Sequence, residues 1–319
     1  MTKINKKNIF ISKKKIRYKK NPLKFLKKNR EVVKISDGLF QFQGEFLKVF
    51  RALNNYFYNL AIKKFHAIDQ ENPILWPIDL YNKINYFSDF PQQVLMVSGL
   101  KKNYKNINNF TKRFGKQNFK KIDLKKNFRD SVVGLQPAVC DNCYYALKNM
   151  KNFKNTIYTT YNKVFRDEKS NVDNLDRLLS FSVRDIMFVG EKEFVIKQKN
   201  KITEYLKKFL LSTGLNCTIE KANDPFFSIN KEKKVFQDAL DLKYEILVYI
   251  PFLKKKIAVG SINYHYNTFG KAFNIKNKGK TIFSACIGIG FERLVLALYS
   301  QFGINTNLWP KELKKIIKI

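Results

Sequence analysis

The sequence predicts an α+β protein, an antiparallel sheet flanked by helices, and three observations carry that reading. Hydrophobic residues make up 45% and aromatic residues 15% of 319 positions, enough to bury one large core or one core with a small added layer. Strand-like runs fall next to one another along the chain, as hairpins do. Helical patterns stand apart from those runs instead of alternating with them, which disfavours a doubly wound parallel sheet. No internal repeat is present.

In chain order, residues 1–36 form a basic arm, expected to be mobile or loosely docked, and residues 37–319 form the domain. From Phe46 to about Phe65, apolar side chains at Phe46, Phe50, Leu53, Phe57, Leu60 and Ala61 recur at helical spacing. The run Ile74-Leu75-Trp76 ends at Pro77 and reads as a strand stopped by a residue without an N–H. Residues 100–130, rich in Lys and Asn, read as a surface excursion. Thr156–Phe165 and Leu179–Val189 are expected to pair as a hairpin with a long tip. A helix follows over 194–213, then two strands, Glu245–Ile250 and Ile257–Tyr264, joined near Pro251. The last element, from Phe291 to about Gln301, is a helix entered through a turn at Gly288 and Gly290.

Lys and Arg number 61 against 26 acidic residues, a net charge of +35. Such a balance fits a nucleic-acid or acidic-membrane partner, and it also fits A/T-biased coding, since only nine of the cations are Arg. Either origin leaves a field that attracts acidic proteins. No apolar window of about eighteen residues occurs, and the start lacks a secretory pattern, so a cytoplasmic, non-membrane protein is expected. Organelle targeting by the basic start is the alternative, although such peptides favour Arg and Ser.

Several chemistries are disfavoured outright. The chain has no P-loop and no glycine-rich dinucleotide fingerprint, and its two histidines, His66 and His265, give a hydrolase relay little to work with. Phosphate chemistry would then rest on arginine, whose planar fork binds phosphate oxygens in pairs. Arg166, Arg177, Arg184 and Arg293 all fall in the paired strands after residue 156 or at the start of the last helix. Four cysteines, Cys140, Cys143, Cys217 and Cys286, are too few for a disulfide scaffold and remain free thiols or metal ligands. Cys140 and Cys143 form a lone CxxC, a weak zinc signal without a second pair, and Cys217 reads as buried and inert in a helix-end context. A structural hydrogen bond beside a strand is the expected role of His265.

These residues carry a family resemblance. Phe165-Arg166-Asp167-Glu168 with Arg177-Leu178-Leu179-Ser180-Phe181 resembles motif 2 of the class II aminoacyl-tRNA synthetases. Gly288-Ile289-Gly290-Phe291-Glu292-Arg293 resembles motif 3, and the helix leading to Ile74-Leu75-Trp76-Pro77 loosely resembles motif 1, the dimer-forming element. Further stretches, among them Asn85–Pro91, Pro137–Cys140, Ala222–Phe227 and Asn263-Tyr264-His265, are similar to the amino acid:[carrier protein] ligases, truncated seryl-tRNA-synthetase homologues.

The resemblance implies a catalytic domain of the class II synthetase type that uses ATP and Mg²⁺. By position it implies that Arg166 binds the α-phosphate, Glu168 the adenine amino group, Phe181 the adenine ring and Arg293 the γ-phosphate. Glu245 is the candidate acid near Mg²⁺, and Asn263 lines the substrate pocket. It also implies a Zn²⁺ site of two thiolates and one carboxylate with an open position for the substrate amino group. Cys140 and Cys286 fall on the thiolate positions, while Asp185 stands where the family has Glu, so its backbone must come closer by about one bond. The expected protein is a homodimer that activates a small amino acid and passes it to the phosphopantetheine thiol of an acidic carrier protein. Transfer to tRNA is disfavoured by the short, heptad-free arm, and a tRNA synthetase or an inactive paralogue are the alternatives.

Overall fold

The computed structural model describes residues 8–16, 18–115, 124–167, 174–227 and 241–318. Eight strands share one sheet: β1 (Asn8–Ser12), β2 (Ile68–Gln70), β3 (Thr156–Phe165), β4 (Ser180–Gly190), β5 (Cys217–Lys221), β6 (Lys243–Ile250), β7 (Lys255–Tyr266) and β8 (Phe283–Gly290). Their spatial order is β1-β5-β6-β7-β8-β4-β3-β2. Neighbours are antiparallel except β2 and β3, which run parallel.

Strand side chains alternate between two faces, and here the alternation separates packing from chemistry. Ile246 and Val248 of β6, Ile262 of β7, Ile287 and Ile289 of β8, and Ile186 and Phe188 of β4 enter one apolar cluster. Over them lie α1 (Gly44–Phe65), α2 (Lys192–Thr213) and α3 (Phe291–Phe302). The stripe Phe46, Phe50, Leu53, Phe57 and Ala61 keeps α1 on the sheet, each of its large side chains worth roughly 1.5–3 kcal/mol when buried. Phe57 touches Phe209 of α2 and Phe291 of α3, with ring centroids 5.0 and 6.4 Å apart, so one aromatic seam joins all three helices. His66 ends α1 in the left-handed region and donates its backbone N–H to Ala61 and Ile62, which gives that histidine a capping place remote from any chemistry.

Among the described residues, the opposite face is covered at one end only, by a second cluster built on Trp76, Tyr81, Tyr86 and Tyr144. Trp76 belongs to a small three-stranded sheet in which Leu75–Pro77 and Met96–Val97 both pair with Val133–Leu135. The excursion expected over 100–130 contains a helix, Tyr104–Phe114, none of whose residues is buried.

Three expectations are corrected. Residues 8–16 and 18–36, expected as a mobile or loosely docked arm, are built into the fold: β1 pairs with β5, and the helix Pro22–Lys28 buries Leu23 and Leu26. Apolar alternation over five residues among lysines is too short a signal to read as a strand. Gly288 and Gly290 make no turn, for β8 runs through both and passes directly into α3. Cys217, buried as expected, opens strand β5 and not a helix end. No helix among the described residues is long and apolar enough to cross a membrane.

Candidate active site

A cleft of about 1270 Å³ lies over the uncovered face of the sheet. Arg166, Phe181, Asp185, Glu245, Asn263, Cys140, Cys286 and Arg293 all line it, although they are spread over more than 150 positions of the chain. Glu168, expected at the adenine, lies outside the described residues.

At one end two guanidinium groups approach one ring. The Arg166 guanidinium carbon is 5.4 Å from the Phe181 ring centre and that of Arg293 is 6.0 Å from it. Register explains the meeting. Val164 of β3 faces Phe181 of β4, so Arg166 leaves the end of β3 beside that ring, while Arg293 comes from the first turn of α3. Arg166 is held by an Nε hydrogen bond to the Pro137 carbonyl at 2.9 Å, and Arg293 Nη1 donates to the Ala258 carbonyl at 3.4 Å. Glu292, 1% exposed, accepts hydrogen bonds from the Ser182 N–H, the Ser182 hydroxyl and the Lys163 ammonium. Because Glu292 precedes Arg293 and Ser182 follows Phe181, this pin fixes ring and cation relative to each other. Arg177 stands exposed at the rim. Arg184 takes no part: it is buried away from the cleft on Asn54 and Thr159, with Asp69 at 3.7 Å.

Farther along, the Lys243 ammonium lies between the carboxylates of Asp224 and Glu245, 2.5 and 3.5 Å away. Glu245 therefore has a cationic neighbour, and another cation would have to compete with it.

On the floor of the cleft, donor atoms of Cys140, Asp185 and Cys286 lie within 4.8 Å of one another, all three residues buried. Cys140 caps the short helix Asp141–Ala146, while Asp185 and Cys286 sit two register steps apart on β4 and β8, on the same face. The residue paired with Asp185 is Gly288, and a Cβ there would stand 2.6 Å from the Asp185 carboxylate. Lack of a side chain at Gly288 is what lets the shorter acid turn inward, which is a reason for glycine inside a strand. Burial, with the Cys286 sulfur beside it, drives the Asp185 carboxyl well above its usual range. The hydrogen bond between the sulfurs lowers the Cys286 thiol and raises that of Cys140. Holding all three groups deprotonated in so buried a place requires a compensating cation, and two sulfurs with one carboxylate suit a thiophilic divalent ion. Cys143 stays outside this set, fully buried, with burial raising its thiol.

Two residues given no part in the cleft by the sequence, Asp141 and His265, stand beside this cluster, as does Asn263 of the expected substrate pocket. Asp141, 5% exposed, accepts from the Cys140 thiol at 3.6 Å, and burial pushes its carboxyl up to about 6. His265 places Nε2 3.5 Å from the Cys286 sulfur, and Asn263 donates to the same sulfur at 3.5 Å. Neither contact could be read from spacing, because β7 is irregular between Tyr264 and Tyr266.

Known proteins share this arrangement of chain. A model of the tRNA synthetase class II core domain (G, H, P, S and T) matches residues 119–302. The chain belongs to that family. Over 96% of its length it is 27% identical to the type-2 serine–tRNA ligase of Methanocaldococcus jannaschii, covering 61% of that protein. Over 48% of its length it is 32% identical to amino acid–[acyl-carrier-protein] ligase 2 of Bradyrhizobium diazoefficiens, covering 46% of that protein. The solved structure of M. kandleri SerRS in complex with A. aeolicus tRNASec superposes with a TM-score of 0.86 at 22% identity, over 98% of this chain and 63% of that one. Seryl-tRNA synthetase from Pyrococcus horikoshii complexed with ATP gives 0.69 at 13% identity, over 95% and 63%. At these identities the superpositions speak for the fold, and the chain spans less than two thirds of the serine–tRNA ligases it matches. The expected class II synthetase fold is the one observed.

Proposed function

We propose that the chain activates a small amino acid with ATP and passes the aminoacyl group to the phosphopantetheine thiol of a carrier protein. The observation that carries the first half is the convergence of Arg166 and Arg293 on the Phe181 ring inside one cleft. In this reading adenine stacks on Phe181, Glu168 accepts from its amino group, Arg166 holds the α-phosphate and Arg293 the γ-phosphate. A carboxylate oxygen of the amino acid attacks the α-phosphorus, the bond to the bridging oxygen breaks, and pyrophosphate leaves with its electron pair. Charge spread over the equatorial oxygens is met by fixed guanidinium groups, which supply positioning and electrostatic stabilisation without reorganising. Glu245 is assigned to Mg²⁺. Asn263 lines the amino-acid pocket.

Cys140, Asp185 and Cys286 would hold Zn²⁺, which would supply a Lewis-acid seat for the substrate amino group. Substrates without an amine would lose that seat. Gly288→Ala is expected to push the Asp185 carboxylate aside and weaken zinc binding by roughly tenfold or more, read by chelator competition, with the helical signal retained.

In the second half, the thiolate sulfur attacks the carbonyl carbon of the adenylate and AMP departs, leaving a thioester. The 32% identity to a carrier-protein ligase over 155 residues supports this acceptor. A second reading, transfer to tRNA, is favoured by the likeness to a serine–tRNA ligase over 96% of the chain and by the charge of +35. Homodimers, common among class II synthetases, are the proposed assembly. The test is pyrophosphate exchange with each of the twenty amino acids, with zinc measured on the same preparation, followed by transfer to holo-acyl carrier protein and to tRNA. Exchange with a small amino acid and thioester formation support the proposal; aminoacyl-tRNA selects the second reading, and no exchange with any amino acid removes both.

A further inference from the structure

His265 is one of two histidines in the chain, and neither half of the proposed reaction uses it. Its half-buried ring lines the cleft and is held by Ser284, Tyr144, Phe269 and Cys286. Nδ1 is 3.1 Å from the Ser284 hydroxyl and 3.3 Å from the Tyr144 hydroxyl. The ring stands edge-on to Phe269, with centroids 4.8 Å apart, and Phe269 in turn stacks on Tyr144 at 4.1 Å. Ser284 and Tyr144 are fully buried, so these hydroxyls have little chance to exchange His265 for water. The remaining nitrogen, Nε2, is left facing one partner, the sulfur of Cys286, at 3.5 Å.

A hydroxyl that donates to Nδ1 makes Nε2 the protonated nitrogen, and hydrogen bonding at one ring nitrogen is what selects the tautomer at the other. The imidazole then offers an N–H to a sulfur that already accepts one from Asn263. Two N–H donors on one thiolate leave it little freedom of direction other than toward Cys140 and Asp185. Cys140, by contrast, has a carboxylate beside it in Asp141. The two sulfurs of the cluster thus have opposite surroundings, one facing donors and one facing an acid.

We propose that His265 is a positioning residue for the metal cluster, aiming and partly neutralising the Cys286 thiolate through Nε2–H while Ser284 and Tyr144 hold its ring. This rests on the reading of Cys140, Asp185 and Cys286 as a metal site. Partners that orient metal ligands in this way alter affinity by about 10- to 100-fold when removed.

The experiment measures zinc affinity of the full chain by chelator competition, and the sulfur-to-metal charge-transfer band after cobalt substitution, in wild type, His265→Ala, His265→Gln and Ser284→Ala. His265→Ala is expected to bind zinc about 10- to 100-fold more weakly and to shift the band to lower energy, since the sulfur loses a donor. His265→Gln, which can return an N–H to the sulfur, is expected to recover most of both. Wild-type affinity and an unmoved band in His265→Ala would overturn the proposal, as would a glutamine variant no better than alanine. Should the alanine variant fail to fold, Ser284→Ala carries the test through a smaller shift in the same direction, and no shift there overturns it. A wild-type chain that binds neither zinc nor cobalt removes instead the metal reading underneath.

Discussion

Arg166→Ala is expected to lower amino-acid-dependent pyrophosphate exchange by roughly 10²- to 10³-fold, and Arg293→Ala by the same order, as loss of one preorganised donor to a developing charge does elsewhere. Each side chain is anchored before any ligand arrives, Arg166 on the Pro137 carbonyl and Arg293 on that of Ala258, so the fork need not be ordered during the reaction. Arg→Lys at either position keeps the charge and loses the paired geometry, and an intermediate rate is expected. The double alanine variant should fall short of the product of the single losses, because both groups act on one triphosphate. Steady-state exchange with saturating ATP checks this. An Arg166→Ala chain that exchanges at the wild-type rate would mean the two cations serve some other end.

Stripping the metal is expected to have a comparable effect by a different route. Removal of zinc by a chelator, or Cys286→Ser, should reduce activation of the amino acid by roughly 10³-fold, the several kcal/mol a Lewis acid supplies. Zinc content should fall from about one per chain to near zero, the stoichiometry of a three-ligand site. The helical signal should persist, since α1, α2 and α3 lie on the other face of the sheet and share no side chain with the cluster. Cys143→Ala is the control: that thiol is buried but stands outside the donor set, so metal content should be unchanged. Full activity in a zinc-free, chelated preparation would sink the assignment.

How much of this was legible in the sequence depended on the length of each pattern. The 3.6-residue stripe of α1 and the paired runs Thr156–Phe165 and Leu179–Val189 extend far enough to declare themselves, and the observed elements start and stop within two residues of them. β1 failed to register because five residues of alternation among lysines resemble a solvated tail. β8 failed because glycine ordinarily interrupts a strand, whereas Gly288 is there to admit the Asp185 carboxylate. Cys140, Asp185 and Cys286 could be grouped only through family likeness, for no local spacing unites them. His265 and Asp141 needed the register of β7 and the docking of the helix after Cys140, which no one-dimensional pattern records.

The attachment of β1 to β5 also bears on how the protein keeps to itself. A long, flat rim of unpaired backbone invites strands from other chains, and sheets guard against this with bulges, lysines and short terminal strands. Here the rim beyond β5 is occupied by a strand with a register shift between Asn8 and Phe10 and a lysine run, Lys13-Lys14-Lys15, just past its end. At the far side, β2 offers only three residues. Shaving off the first dozen residues would therefore bare Cys217–Lys221 as a template for foreign strands, and loss of solubility would come before any loss of chemistry.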